Sequence, residues 1–238
     1  AGYTVLEDKW DGHAQHDEET SKRLIDKADI IFCEWGLGNA VWYSKHKRPG
    51  QRLIVRVHAQ EIRVPHLANI QHANVDQYIF VSELMRTTAI VSHGVPASKA
   101  SVIPNGVDLT ALNKPKPAEA RFNIGFVGFI PQSKRLDRAL DFMESLLSKD
   151  PRYRLFIRGK TVEDYPWMKD RPEELAYYEE QFQRAKALNE KYEDAVTFDP
   201  YGPDMAEWYT KVGVVLSTSD HESFHLTIAD GAASGARP

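Results

Sequence analysis

Cysteine is all but missing: Cys33 stands alone among 238 residues. One thiol cannot form an internal disulfide, and it excludes a cysteine zinc site. Its place in an apolar run points to a reducing compartment, and we expect a cytoplasmic protein. No stretch approaches the roughly 20 apolar residues of a membrane span, and no signal peptide is evident. Strong charge of either sign is absent too. With 30 Lys and Arg against 34 Asp and Glu, the net charge is −4. That gives no general reason to expect nucleic acid or an acidic membrane as a partner, although peripheral membrane contact is kept open. Several catalytic signatures are also lacking. There is no G-x-S-x-G and no P-loop lysine motif, which argues against hydrolases and nucleoside triphosphatases. No G-x-G-x-x-G follows a strand, which argues against a nicotinamide enzyme. Histidines and acids are scattered without ligand spacing, so no metal site is expected.

What is present is ordinary for a globular chain, with 42% hydrophobic and 27% charged residues. The length suits one large domain or two small ones. The chain begins at Ala1-Gly2-Tyr3 without methionine and stops at Pro238. Both ends look cut from something longer, so each domain is expected to be incomplete.

Apolar runs at Tyr3–Leu6, Ile30–Cys33, Leu53–Val57 and Tyr78–Val81 alternate with helical or loop stretches. That alternation predicts a parallel sheet covered by helices. Helices are expected at Glu18–Lys27 and Ala40–Lys47, and over Leu84–Val91 behind a Ser82 cap. Val102-Ile103 is a last short strand before the turn Pro104-Asn105-Gly106. Residues 113–120, rich in proline and charge, read as an exposed linker after an N-terminal domain over 1–112. A second alternation fills 121–238. Ile124–Val127, Leu155–Ile157, Val196–Phe198 and Val212–Leu216 are strands. Leu136–Leu147 carries clean helical spacing, Glu173–Tyr192 is a long charged helix, and Asp204 is expected to cap Met205–Lys211. The fold class is therefore α/β, with two Rossmann-like domains.

The last strand runs into Thr218-Ser-Asp-His-Glu222 and a small-residue helix closed by Gly235. Glu222 and Asp230 lie eight residues apart, about 80° past two helical turns, so they share one broad face. An acid at a strand's carboxyl edge beside a helix N-terminus is where open α/β sheets bind ligands.

The segment Glu222-Ser-Phe-His-Leu-Thr-Ile-Ala-Asp230-Gly-Ala-Ala-Ser-Gly235 resembles the E-x7-E motif of retaining glycosyltransferases of the GT-B fold, family 4. That motif is usually written E-G-F-G-L-x-x-x-E-A-x-A-x-G. Ser223 and His225 replace its glycines, and Asp230 shortens its second acid. Val102-Ile-Pro-Asn-Gly-Val-Asp108 is similar to the family's crossover segment, and Phe80-Val-Ser-Glu83 to its preceding strand end. Gly125-Phe-Val-Gly-Phe-Ile-Pro-Gln-Ser-Lys-Arg-Leu-Asp137 is similar to its v-G-R-L-x-x-x-K-G-x-d stretch, with Phe129 where the family has Arg.

This resemblance implies a metal-independent hexosyltransferase-like enzyme with GT-B architecture. It would move a sugar, with retention, from a nucleotide-diphosphate sugar to an acceptor hydroxyl in the interdomain cleft. Glu222 would hold donor-sugar hydroxyls and Asp230 the ribose diol. Lys134, with Arg135 and the amides around Ser223 and Phe224, would hold the diphosphate. His58, at the end of its strand, would lie near the sugar's primary hydroxyl, with Glu34, Trp35 and Glu61 on the acceptor side. Gly36-Leu-Gly38 is a weak phosphate signal. No segment matches the pyridoxal-lysine region of sugar phosphorylases, so no cofactor is expected beyond the donor substrate. The expected partners are a nucleotide sugar and a glycan, lipid or small-molecule acceptor. The rival reading is a non-catalytic GT-B protein that binds a nucleotide or glycan as a regulatory or partner subunit.

Overall fold

Short β-branched runs pair as a parallel sheet when both of their faces can be covered. The computed structural model describes residues 2–238 and contains two such sheets. Each belongs to one of two units that divide between Asn105 and Gly106.

In the first unit a small antiparallel hairpin, β1 (Trp10–Asp11) and β2 (Gln15–His16), precedes α1 (Glu18–Ile25). Asp17 caps α1 by accepting from the amides of Glu19 and Thr20. There follow β3 (Ile30–Cys33), α2 (Gly38–His46), β4 (Arg52–Val57), α3 (Ala59–Ile62), β5 (Gln77–Phe80), α4 (Glu83–His93) and β6 (Ala100–Val102). The strands pair in parallel in the order β3-β4-β5-β6. Ser82 caps α4, and Gly94 ends it at φ 70°, in the left-handed region. Cys33 is buried in this unit, and burial pushes its thiol up to about 12, so it behaves as a small apolar side chain.

Residues 3–6, read from sequence as a strand, are irregular, and Tyr3 and Val5 are 83% and 85% exposed. Among the described residues no strand lies beside them, so their β propensity has no cross-strand packing to act through.

The second unit runs through α5 (Leu109–Leu112), β7 (Asn123–Val127), α6 (Leu136–Leu147), β8 (Arg154–Gly159), α7 (Pro172–Lys191), β9 (Val196–Pro200), α8 (Met205–Trp208), β10 (Val214–Val215) and α9 (Leu226–Ala233). All pairings are parallel, in the order β10-β7-β8-β9. The strand order therefore reverses between β7 and β10, the switch point at whose carboxyl edge such sheets bind ligands. Leu136, Ala139, Leu140, Met143 and Leu147 of α6 form a core with Ile124, Phe126, Leu155 and Ile157. Burying each large side chain contributes roughly 1.5–3 kcal/mol.

The units divide ahead of the expected break after residue 112, because Leu112 packs with Trp208, Tyr209 and Val212. Residues 113–120, expected as an exposed linker, are also tied to the second unit. The Lys116 ammonium donates to the carbonyls of Tyr209 and Val212 (2.8 Å for the latter) and to Ser234 Oγ at 3.2 Å. Composition marks a lysine as solvated, but one that meets several oxygen acceptors acts as a staple. Asp204 stands at the N-cap of α8 as expected, but its carboxylate makes no capping hydrogen bond and pairs instead with Arg158 of β8. Among the described residues, no helix is long and apolar enough to cross a membrane.

Helix α9 reaches β10 only because residue 231 is glycine: a Cβ there would stand 2.2 Å from Val215 Cγ2. Gly231→Ala is expected to lower stability by about 1–3 kcal/mol, the usual cost of overpacking. Combining it with Val215→Ala should cost less than the sum of the single changes, because they share one contact. Urea denaturation of the three variants checks this, and strict additivity would refute the contact.

Candidate functional site

The site begins with the loop between β7 and α6, which is held on both sides. From α7, Tyr178 Oη donates to Phe129 O at 3.1 Å, and Glu174 Oε1 accepts from Gln132 N at 2.8 Å. Tyr177 Oη donates to Asp137 Oδ1 at 2.8 Å and accepts from Asp137 N at 3.0 Å. On the opposite side, the segment after β10 docks through Asp220 N, which donates to Ser133 O at 2.8 Å. The Thr218 hydroxyl lies 2.9 Å from Lys134 O and 2.8 Å from Arg135 O. These contacts carry Lys134 to Glu222: Lys134 Nζ donates to Glu222 Oε1 at 2.6 Å, with both side chains about three-quarters buried.

His225 completes the cluster. Its Nε2 lies 3.5 Å from the same Glu222 Oε1 and 3.2 Å from Ser217 Oγ. It sits at φ 71°, in the left-handed region, a conformation that costs a non-glycine residue roughly 1–2 kcal/mol. This backbone turns the chain into α9, and His225 O accepts from the amides of Ile228 and Ala229. Ser223 and Phe224 precede the helix, and their amides donate no hydrogen bond among the described residues. Two donors thus stand beside a helix N-terminus and a lysine.

The electrostatics are mixed. Burial alone raises the Glu222 carboxyl, but the hydrogen bond and charge of Lys134 override it and hold the group below its ordinary range. Burial lowers the His225 imidazole; Glu222 opposes that effect and Lys134 adds to it. Asp230 lies one turn into α9, which starts after Glu222, and burial raises its carboxyl.

Arg135 does not stand free for a ligand. Its guanidinium forks onto Asp137 (2.9 and 2.6 Å) and reaches Asp220 at 3.2 Å. Phe129 is 3% exposed and packs against Tyr178, Phe182 and Phe198. The structure therefore brings Lys134, Glu222, Ser223 and Phe224 to one edge and engages Arg135 elsewhere. Sequence reasoning missed Thr218, Asp220, Asp137 and Glu174 as the groups that place them. Apart from the Arg135–Asp137 pair, two residues apart, their partners lie tens of residues away, beyond any local spacing signal.

In the first unit, the ends of β3 and β4 gather Glu34, Trp35, His58 and Glu61. Glu61 is fully buried, and its carboxylate accepts from Gly36 N at 3.1 Å and His58 N at 3.0 Å. It is thus a scaffold for the loop, not an exposed contact group. The Trp35 and His58 rings lie 4.2 Å apart, and Trp35 is 43% exposed. His58 Nε2 is 3.8 Å from Glu34 Oε1, which Arg56 also holds at 2.7 Å. Gly38 N donates to His13 O at 2.8 Å, so that amide is committed to packing. Among the described residues, no group of three or more His, Cys, Asp and Glu could hold a metal ion.

Comparison with known proteins adds to this geometry. The family described as Glycosyltransferase Family 4 matches residues 16–111. No curated protein matches the chain. Among solved structures, Anabaena Alr3699/HepE in complex with UDP and glucose is similar at TM-score 0.69 and 18% identity, over 92% of this chain and 60% of that one. A mutant of S. aureus TarM, in complex with Fondaparinux, alpha-GlcNAc-glycerol and UDP, is similar at TM-score 0.68 and 17% identity, over 92% of this chain and 43% of that one. The pneumococcal O-GlcNAc transferase GtfA, in complex with UDP and GlcNAc, is similar at TM-score 0.62 and 16% identity, over 91% of this chain and 43% of that one. At such identities the likeness is one of fold, the GT-B class of two Rossmann-like units. The chain spans between 43% and 60% of the length of these proteins.

Asp137 yields a test of the loop clamp. The hydrogen bond from Arg135, aided by Tyr177, holds its carboxyl down to about 2, below the usual value near 3.9. Such a group stabilises the fold above its unfolded-state value, and the contribution is lost as pH falls through the folded-state value. Stability should therefore drop between about pH 4 and about pH 2. Asp137→Asn should flatten that part of the profile, as urea midpoints across the window would show. An unchanged slope would remove Asp137 from the clamp.

Proposed function

We propose that this chain is the core of a retaining GT-B glycosyltransferase that moves a sugar from a nucleotide-diphosphate sugar to an acceptor hydroxyl. The observation that carries this reading is the cluster of Lys134, Glu222 and the unbonded amides of Ser223 and Phe224 at the switch point of the second sheet. A diphosphate seated there draws the Lys134 ammonium from Glu222 to itself. Glu222 then accepts hydrogen bonds from donor-sugar hydroxyls. The Ser223 and Phe224 amides and the start of α9 meet the phosphates. Asp230, a carboxylate without a charged partner among the described residues, suits the two ribose hydroxyls.

As the bond between the anomeric carbon and the phosphate oxygen breaks, negative charge gathers on the leaving group, where Lys134 and the amides stabilise it. No enzyme carboxylate serves as a covalent nucleophile in this reading. The acceptor oxygen bonds to the anomeric carbon on the face the phosphate leaves, and its proton passes to a phosphate oxygen, giving retention. Lysine and amide dipoles carry the phosphate charge without a divalent metal. His58, with Trp35 and Glu34, belongs to the acceptor side, and the acceptor is a glycan, a lipid or a small molecule. The structurally similar proteins solved with UDP make a UDP-sugar the first donor to try, and the reduced thiol of Cys33 accords with a cytoplasmic location.

A second reading has its own support. Phe129 is locked in the core where the resembling family has an arginine, and Arg135 is engaged by two acids. A phosphate site with one lysine suits a nucleotide-binding subunit without turnover. Calorimetry with UDP, GDP and ADP, followed by a donor-hydrolysis assay, separates the two, since binding without hydrolysis or transfer favours the subunit.

Lys134→Ala should weaken nucleoside diphosphate binding by about tenfold or more, as expected for a charge-assisted contact of roughly 1.5–3 kcal/mol. Nucleoside binding should hardly change, and equal losses for both would take Lys134 out of the phosphate site. His58→Ala should leave nucleotide affinity near its original value while cutting the transfer rate. A loss of nucleotide affinity as large as that of Lys134→Ala would overturn this division of roles.

A further inference from the structure

We infer that His225 takes up a proton when a nucleotide-diphosphate sugar binds, and so acts as a second, pH-dependent cation beside Lys134. This rests on the donor-site reading above and goes beyond it, for it assigns the site a proton-linked affinity.

The geometry behind it is a shared atom. Lys134 Nζ at 2.6 Å and His225 Nε2 at 3.5 Å face the same oxygen, Glu222 Oε1. A diphosphate that draws the ammonium away takes from Glu222 the partner that neutralises it. The imidazole, already turned toward that oxygen, then faces both the carboxylate and the incoming phosphates. Two anionic neighbours favour the imidazolium. The left-handed backbone at φ 71° places His225 at the entrance of α9, and a contact to Ser217 Oγ at 3.2 Å helps to hold its ring beside Glu222.

The charges that act on the imidazole are Glu222 from its own segment and Lys134 from the loop after β7. Arg135 and Arg138 are both engaged on Asp220. His221 in the same segment is exposed, and Asp230 lies farther along α9. Before binding, burial and Lys134 favour the neutral ring, so the change on binding is proton uptake from solvent. By linkage, affinity must then rise as pH falls.

The test is calorimetry of the full chain with UDP-glucose, GDP-mannose and ADP-glucose in buffers of different ionisation heat. The phosphodiesters of these donors keep their charge near neutral pH, so any proton taken up goes to the protein. The bound chain should gain protons. Affinity should rise by about tenfold between about pH 8 and about pH 5.5, as it does when the bound state holds one proton about ten times more tightly than the free state. His225→Asn, whose side chain tolerates the left-handed region, should bind with no proton uptake and a flat pH profile. His221→Asn should keep the uptake of the original chain. Binding without uptake, or uptake that persists in His225→Asn, overturns the inference and leaves the donor site standing. Failure of every donor to bind at any pH overturns both.

Discussion

The loop between β7 and α6 is the constraint on which the candidate site depends. It has little regular structure of its own, and it is fixed by hydrogen bonds from α7 on one side and from the segment after β10 on the other. Each bond contributes only about 1 kcal/mol, but together they define the loop's position relative to two elements. Lys134 and Glu222 are 88 residues apart in sequence, and they meet because the segment that carries Glu222 is fastened to the carbonyls of the Lys134 loop. The reversal of strand order between β7 and β10 makes this possible, since it leaves the ends of the two strands side by side with no helix between them.

The first unit reaches a similar end by another route. There a single buried acid does the fastening. Glu61 has no exposed surface, and its two oxygens are spent on the amides of Gly36 and His58. A carboxylate out of water is costly unless its lone pairs are satisfied, and these amides satisfy it. The ends of β3 and β4 are thereby tied together, and Trp35 and His58 are set ring to ring. The histidine is held by its backbone, and its largely buried imidazole lies between the two acids, Nδ1 3.5 Å from Glu61 Oε1 and Nε2 3.8 Å from Glu34 Oε1.

Much of this was legible in the residues. The 3-4 apolar spacing over Leu136–Leu147 gave the bounds of α6, because Leu136, Ala139, Leu140, Met143 and Leu147 all meet the core. The parallel strands were readable as apolar runs, and the edge location of Glu222, Lys134 and His58 followed from strand ends. What could not be read was tertiary. Tyr3–Leu6 has strand composition but no neighbouring strand among the described residues. Arg135 looks like a phosphate ligand until Asp137 and Asp220 are seen around it. The proline-rich segment at 113–120 is mostly exposed, as its composition suggests, but the sequence does not show Lys116 tying it to backbone oxygens of the second unit. In each case local chemistry is right about the residue and silent about its partner.

The ion pair between Lys134 and Glu222 has a bearing on salt. An anion that comes to this ammonium does not neutralise a bare charge, because it displaces a carboxylate already held at 2.6 Å. Dissolved ions screen the resident contact and the incoming one alike, and the two losses oppose each other in the net affinity. On the proposed donor-site reading, ionic strength therefore acts on the difference between two screened contacts, and its net effect is smaller than it would be for an unpaired surface lysine.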